Sequence, residues 1–172
     1  MNFWAMDNDR KRTFERIYAQ HRDMVAKMCL GYMKGDLALA EDLEQDVFIN
    51  VWNALDRFRN EASFKTWLYR ITVNTCLQHI RKRDNKPSSA LPEEGPIAEA
   101  TPDEGEERKT RLYKAIGQLK EVERLIIMMV LDGEEYATIA NVLGTNEGNL
   151  RVRIHRIKNN LKKHMNKLVS HE

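Results

Sequence analysis

The chain has 172 residues, 42% of them hydrophobic and 31% charged, with a net charge of +2. That length suits one medium domain or two small ones. No apolar run approaches the ~20 residues of a membrane span, the first residues lack the apolar stretch of a signal peptide, and two cysteines make no disulfide framework. A cytoplasmic protein with no membrane insertion is expected. The small net charge conceals a strong asymmetry. Residues 1–83 carry 14 basic and 11 acidic side chains, residues 84–107 carry 1 and 8, and residues 108–172 carry 13 and 7. Two basic ends flank an acidic middle, which points the ends toward a polyanionic partner.

Residues 1–12 show no usable pattern and are taken as an N-terminal tail. From Thr13 to Lys34, the residues Phe14, Ile17, Tyr18, His21, Val25, Met28, Cys29 and Tyr32 recur at helical spacing. Cys29, and Cys76 further on, sit in apolar-patterned helices and read as buried free thiols. Asp36 can cap the next helix. That helix has its stripe at Leu43, Val47, Phe48, Val51, Trp52, Leu55 and Phe58. The loop RNEAS breaks the pattern. Ser63 then caps a third helix, Phe64 to Arg83, whose first stripe is Phe64, Trp67, Leu68 and Ile71. Its later apolar residues, Val73, Cys76, Leu77 and Ile80, rotate to another side. The second half of that helix must pack differently or expose surface.

Residues 84–107 hold all four prolines of the chain and few large apolar residues. Such a segment cannot bury enough surface to offset its ordering entropy, and it reads as a flexible acidic linker. The C-terminal half, residues 108–172, opens with Leu112, Ile116 and Leu119. EVERLIIMMVL is apolar on nearly all sides, as a buried short helix should be. Gly133 breaks it. EEYATIANVLG places Tyr136, Ile139, Ala140 and Leu143 inward, with Gly144 just past the helix end. Asn146 caps the last helix. There Leu150, Ile154, Ile157, Leu161, Met165 and Leu168 share one side, while Arg151, Val152, His155, Arg156, Asn159, Lys162 and Lys163 share the other. No segment of any length alternates with a period of two, so the chain is all-α.

A short helix, a glycine turn and a capped cationic helix have the spacing of a helix-turn-helix, whose second helix enters a DNA major groove. Arg can pair bidentately with guanine there, and neighbouring cations can hold phosphates. Basic amphipathic helices also occur as plain solvated surfaces, or as binders of membranes or partner helices.

The stretches Ala40 to Arg83, AEDLEQDVFINVWNALDRFRNEASFKTWLYRITVNTCLQHIRKR, and LKEVERLIIMMVLDGEEYATIANVLGTNEGNLRVRIHRIKNNL resemble the second and fourth conserved regions of bacterial sigma factors. Having only these two regions on a short chain resembles the extracytoplasmic-function (ECF) branch of the sigma-70 family. The resemblance implies two small helical domains, region 2 over residues 13–83 and region 4 over residues 108–172. It implies a role in binding the RNA polymerase core, recognising −10 and −35 promoter elements and helping to open DNA, with no covalent chemistry and no cofactor. It assigns Asp42, Gln45, Asp46, Ile49 and Asn53 to core polymerase. It assigns Arg59, Asn60, Glu61, Ser63, Lys65, Arg70, Asn74, Gln78, Arg81 and Lys82, with Arg83, to the −10 element. It sets Arg151, Val152, His155 and Arg156 against −35 bases, with Asn149 and Arg153 flanking on phosphate. Family habit adds an anti-sigma partner. Departures include Lys120 where Pro is frequent, Gln78 for Asp, Val73 for a basic residue, and Asn149 and Val152 for Thr and Ser.

Two rival functions stand beside this one. A regulator that binds DNA without riding on polymerase explains the C-terminal half but leaves the N-terminal basic helix without a task. An enzyme or metalloprotein lacks the means. Glu41, Asp42, Glu44 and Asp46 spread around a helix rather than converging, Cys76 and His79 make only two ligands of a closed zinc site, and no phosphate loop or nucleophile motif appears.

Overall fold

The computed structural model describes residues 3–59, 62–84 and 104–169, with side chains from Asn8 to Arg59, Ala62 to His79 and Glu104 to Leu168. Among the described residues every regular element is helical: α1 (Phe3–Tyr32), α2 (Leu37–Ala54), a 3-10 turn (Leu55–Arg57), α3 (Phe64–Asp84), α4 (Glu104–Gly117), α5 (Glu121–Leu131), α6 (Tyr136–Leu143) and α7 (Glu147–Val169). The expected all-α class holds. Most of the acidic segment, including all four prolines, lies outside the described residues.

Local chemistry sets the helix ends. The Asp36 carboxylate accepts the Leu39 N–H at 3.0 Å, and the Ser63 hydroxyl accepts the Thr66 N–H at 3.1 Å, as expected of N-caps. α5 starts at Glu121 without a proline: the Lys120 N–H donates to the Glu123 carboxylate at 3.3 Å, and two glutamates sit in the first turn, where the helix dipole favours anions. Gly144, at φ +64°, ends α6, and the Thr145 N–H returns to the Ala140 carbonyl at 2.9 Å.

Two helices run further than periodicity predicted. α1 begins at Phe3 rather than Thr13. Its extension is fixed by Arg10, which donates to the Trp52 carbonyl at 2.6 Å, pairs with Asp56 at 3.1 Å and lies 4.3 Å from the centre of the Trp52 ring. Those contacts are remote in sequence and give no periodic signal. α4 begins at Glu104, so the last four residues of the acidic segment are helical, with Glu104, Glu106 and Glu107 at the favourable end of the dipole.

The two halves share a continuous core. Val25, Met28, Cys29, Leu43, Val47 and Val51 form one end of it, and Ile116, Leu125, Ile127, Met129, Ile139, Leu150, Ile154 and Ile157 the other. α1 packs on α5, and α3 packs on both α5 and α6. This answers the rotation of apolar residues along α3. Leu68 and Tyr69 are fully buried, and Val73 and Cys76 nearly or fully so, because α3 is enclosed by both halves. Gly31 stands where α1 approaches α5, and any side chain there would oblige the Met128 thioether to shift. A Cβ on Gly31 would stand 2.3 Å from Met128 Sδ.

Candidate nucleic-acid interface

The last helix is docked by its apolar side. Leu150, Ile154 and Ile157 are at most 2% exposed, while Asn149, Arg151, Val152, Arg153, His155 and Arg156 are all exposed. Val152 is an apolar residue left 54% open to water on this face. The Asn146 side chain starts the helix, accepting the Gly148 N–H at 2.8 Å and the Asn149 N–H at 3.4 Å. Arg151 is held by Glu147 through Nη2 at 2.6 Å and lies 5.4 Å from the Tyr136 ring centre. Lys158 donates to the Tyr136 hydroxyl at 3.2 Å, and a His155 ring nitrogen meets the Asn159 amide at 3.1 Å. Tyr136, expected inward, is half-buried and props both cations. The six residues expected at a −35 element thus form one open surface on a rigid rod, able to reach a groove without disturbing the core.

The α3 surface is assembled differently. Arg59, Ser63, Asn74 and Gln78 are exposed. The Ser63 hydroxyl is committed to capping. Asn60 and Glu61, and the side chains of Arg81, Lys82 and Arg83, lie outside the described residues. Lys65 and Arg70 are engaged by the C-terminal half. Lys65 Nζ lies 3.3 Å from Asp132 Oδ2 and pairs with the Glu134 carboxylate, and Arg70 donates to the Asn141 side chain. Between them the buried Tyr69 donates its hydroxyl to Asp132 Oδ2 at 2.5 Å. Glu134, and to a lesser degree Asp132, raise the Lys65 pKa above its ordinary value. Burial, then Asp132, raises that of Tyr69. Sequence reasoning missed Tyr69 as a junction residue, because a tyrosine amid apolar residues carries no mark of its partner 63 positions on. Trp67 packs as expected, 5.0 Å from both Phe58 and Phe64, and Phe64 stacks on His21. Burial, and then Lys65, lower the His21 pKa.

The third surface lies on α2. Asp42, Gln45, Asp46, Ile49 and Asn53 are all exposed, Ile49 by 57%, while Leu43, Val47 and Val51 point inward. Beside Gln45 and Ile49 opens a cleft of about 390 Å³, otherwise lined by Phe14, Tyr18, Glu44, Phe48 and Trp52. Phe14 meets Trp52 edge-on at 5.3 Å, and Tyr18 meets Phe48 at 4.7 Å. Tyr18 was expected in the core and is 37% exposed instead, because it forms the wall of this cleft. Glu44 is buried at the cleft edge against Arg22, 3.0 Å away. The arrangement is an apolar slot with an acidic and amide margin.

No group of three or more acidic, His or Cys side chains suited to a metal occurs among the described residues, and none of their helices is long and apolar enough to cross a membrane. Cys29 and Cys76 are both fully buried, and the contact with Cys76, together with burial, raises the Cys29 thiol pKa.

Residues 17–86 match the family described as Sigma-70 region 2, and residues 109–161 match Sigma-70, region 4. The chain is 31% identical to the ECF RNA polymerase sigma-E factor of Escherichia coli K12, over 86% of this chain and 84% of that one. It is 27% identical to the RNA polymerase sigma-H factor of Pseudomonas aeruginosa, over 92% and 89%. Its fold resembles two solved structures, each 22% identical. One is the sigma factor RpoE of Bartonella quintana in complex with the anti-sigma factor NepR, with a TM-score of 0.69 over 90% of this chain and 98% of that one. The other is CnrH in complex with the cytosolic domain of CnrY, with a TM-score of 0.67 over 91% and 90%.

Proposed function

The chain belongs to the extracytoplasmic-function branch of the sigma-70 family, and from that membership we propose how its three open surfaces divide the work of an RNA polymerase sigma factor. Such a factor binds the core enzyme, recognises promoter DNA and promotes its opening. We assign residues 13–83 to region 2 and 108–172 to region 4, joined by the acidic segment 84–107.

α7 enters the major groove at the −35 element. Arg151 and Arg156 are placed to read guanine edges, Val152 to meet a thymine methyl group, and His155 to accept or donate at a base edge. Asn149 and Arg153 hold phosphates and fix the helix in the groove. α3, with Arg59, Asn60, Glu61 and Ser63 before it, faces the −10 strand. Its Lys65, Arg70, Asn74, Gln78, Arg81 and Lys82 supply cations and amides for backbone and base edges. A flipped base costs a few kcal/mol to unstack, so the loop stabilises the open duplex only where a base fits it. α2 presents Asp42, Gln45, Asp46, Ile49 and Asn53 to the polymerase, with Ile49 and the aromatic cleft supplying the apolar contact. The protein performs no covalent step and works in the cytoplasm beside the polymerase. Its partners are the core enzyme, promoter DNA and, by extension from RpoE, an anti-sigma protein.

The observation that carries this assignment is the two-sidedness of α7: a solvent-exposed cationic face, backed by an apolar face that is at most 2% exposed at Leu150, Ile154 and Ile157. The test is transcription from a randomised promoter library with sigma-free core polymerase. Enrichment of paired −35 and −10 motifs is expected. Uniform or absent initiation overturns the assignment.

A further inference from the structure

α2 ends without a cation of its own. Its last turn carries no basic residue, although a helix C-terminus leaves carbonyls unpaired and favours positive charge. Arg10 of α1 supplies what is missing. Its Nη2 donates to the Trp52 carbonyl at 2.6 Å, its Nη1 pairs with Asp56 at 3.1 Å, and its guanidinium lies 4.3 Å from the centre of the Trp52 ring. The Leu55 N–H meets the same Trp52 carbonyl, so one oxygen ties α1 to the start of the 3-10 turn, and Asp56 ties α1 to its middle. The Asp56 side chain is 64% exposed, which makes that ion pair weak by itself. Arg10 Nε is buried without a hydrogen-bond partner among the described residues, which costs stability. What the cluster adds is position. Beyond the turn Phe58 is extended, and its ring lies 5.1 Å from Phe64 and 5.0 Å from Trp67, while Phe64 stacks on His21. Arg10 and His21 stand about three turns apart on one face of α1. α1 therefore grips the chain on both sides of Arg59: before it through Arg10, and after it, at Phe64, through His21.

We propose that Arg10 is a positioning residue for −10 recognition: by fixing the 3-10 turn Leu55–Arg57 against α1, it sets where Arg59 stands relative to the first turn of α3, and so how sharply one base is told from another. This rests on the reading of Arg59 as a strand-facing residue. Arg10 acts through the turn and not by touching DNA. Arginine suits the task because its guanidinium presents separate N–H donors in one rigid plane and stacks on an aromatic face, where a lysine brings a single flexible ammonium. A site that reads an unstacked base discriminates only if its walls hold still. A displaced wall loses the contact while the cost of unstacking remains. Anchoring the chain before and after Arg59 on one long helix meets that need.

The experiment uses the full chain on core polymerase. The probe is a duplex with a single-stranded −10 extension, taken from a promoter selected with the parent protein, each base of the extension being replaced in turn. The readout is the ratio of affinities for the original and the replaced base, set beside affinity for core polymerase. Arg59→Ala marks the positions that this part of the chain reads. Arg10→Met, which keeps the stem and removes the fork, should lower the ratio about tenfold at those same positions, within the range of one good base contact, and leave the other positions and core affinity unchanged. Arg10→Lys keeps the charge without the fork and should not restore the ratio. Asp56→Asn, at an exposed site where folding is not at risk, should lower it at the same positions by less. Lys11→Met should change nothing, since Lys11 is exposed and its ion pair is with Glu15 of its own helix. An equal loss at every position, a loss of core affinity with the ratios intact, or full selectivity in Arg10→Lys overturns the positioning role. So does a parent-like ratio in both Arg10→Met and Asp56→Asn where Arg59→Ala lowers it, with the strand-facing reading left standing. Parent-like ratios in Arg59→Ala overturn that reading and the positioning role with it.

Discussion

The Tyr69 hydroxyl on α3 donates to Asp132 at the end of α5, so a bond 2.5 Å long joins two halves of the chain whose connecting segment is rich in proline and acid. Removing it should weaken the packing of α3 against the end of α5. Because Asp132 keeps Lys65, Tyr69→Phe is expected to cost about 1.5 kcal/mol, the lower end for a hydrogen bond to a charged acceptor. Urea unfolding should show a lower midpoint at an unchanged slope.

Gly31 and Met128 should be energetically coupled. Gly31→Ala gains helix propensity of about 1 kcal/mol but drives a methyl into the Met128 thioether. Met128→Ala makes room. A double-mutant cycle should give an interaction energy of about 0.5–3 kcal/mol favouring the paired change. An additive cycle would mean that the thioether swings aside freely.

Arg156→Ala should weaken −35-dependent transcription by about 1–3 kcal/mol, the range for one good base contact. The residue is exposed and makes no described contact with the core, so thermal stability should stay within about 0.5 kcal/mol of the parent. Abortive initiation on a selected promoter, set beside a melting curve, reads both.

Ile49→Lys should impair docking on core polymerase without harming the fold, since Ile49 is already 57% exposed. Losing a buried isoleucine from the complex costs about 1.5–3 kcal/mol before any charge repulsion. Changing Gln45 and Asp46 together should act in the same direction. Affinity measured with immobilised core enzyme decides whether the aromatic cleft is the docking slot.

His21 gives the free protein an acid sensitivity. Burial and the nearby Lys65 disfavour its charged form, so its folded pKa lies below the ordinary 6.5. Between the folded pKa and 6.5 the unfolded chain binds a proton that the folded chain does not. Stability from this site is therefore complete above about pH 6.5 and falls as the pH drops toward the folded pKa. His21→Gln should flatten the unfolding midpoint across that window.

Much of the fold was legible because it rests on short-range rules. The caps at Asp36, Ser63 and Asn146, the left-handed Gly144 and the apolar stripe of α7 were each readable within a few residues. So was the exposure of the α2 and α7 faces, which follows from the opposite face being needed inward. What escaped depends on neighbours far along the chain. Tyr18 follows the core periodicity yet walls a cleft, because Phe48 and Trp52 close over it from α2. Arg10 holds α1 helical through Trp52 and Asp56, neither of which lies nearby in sequence. Lys65 and Arg70 look like free cations on a helix. Their partners come from a separate segment whose docking no local pattern announces.

Both halves also contribute to one apolar interior, and this bears on how the molecule melts. Ile139 and Met129 lie in the same cluster as Val25 and Leu43, so parting the halves wets surface that each depends on. Opening should carry a positive heat-capacity change, and scanning calorimetry of the isolated chain should record a single endotherm rather than one for each half.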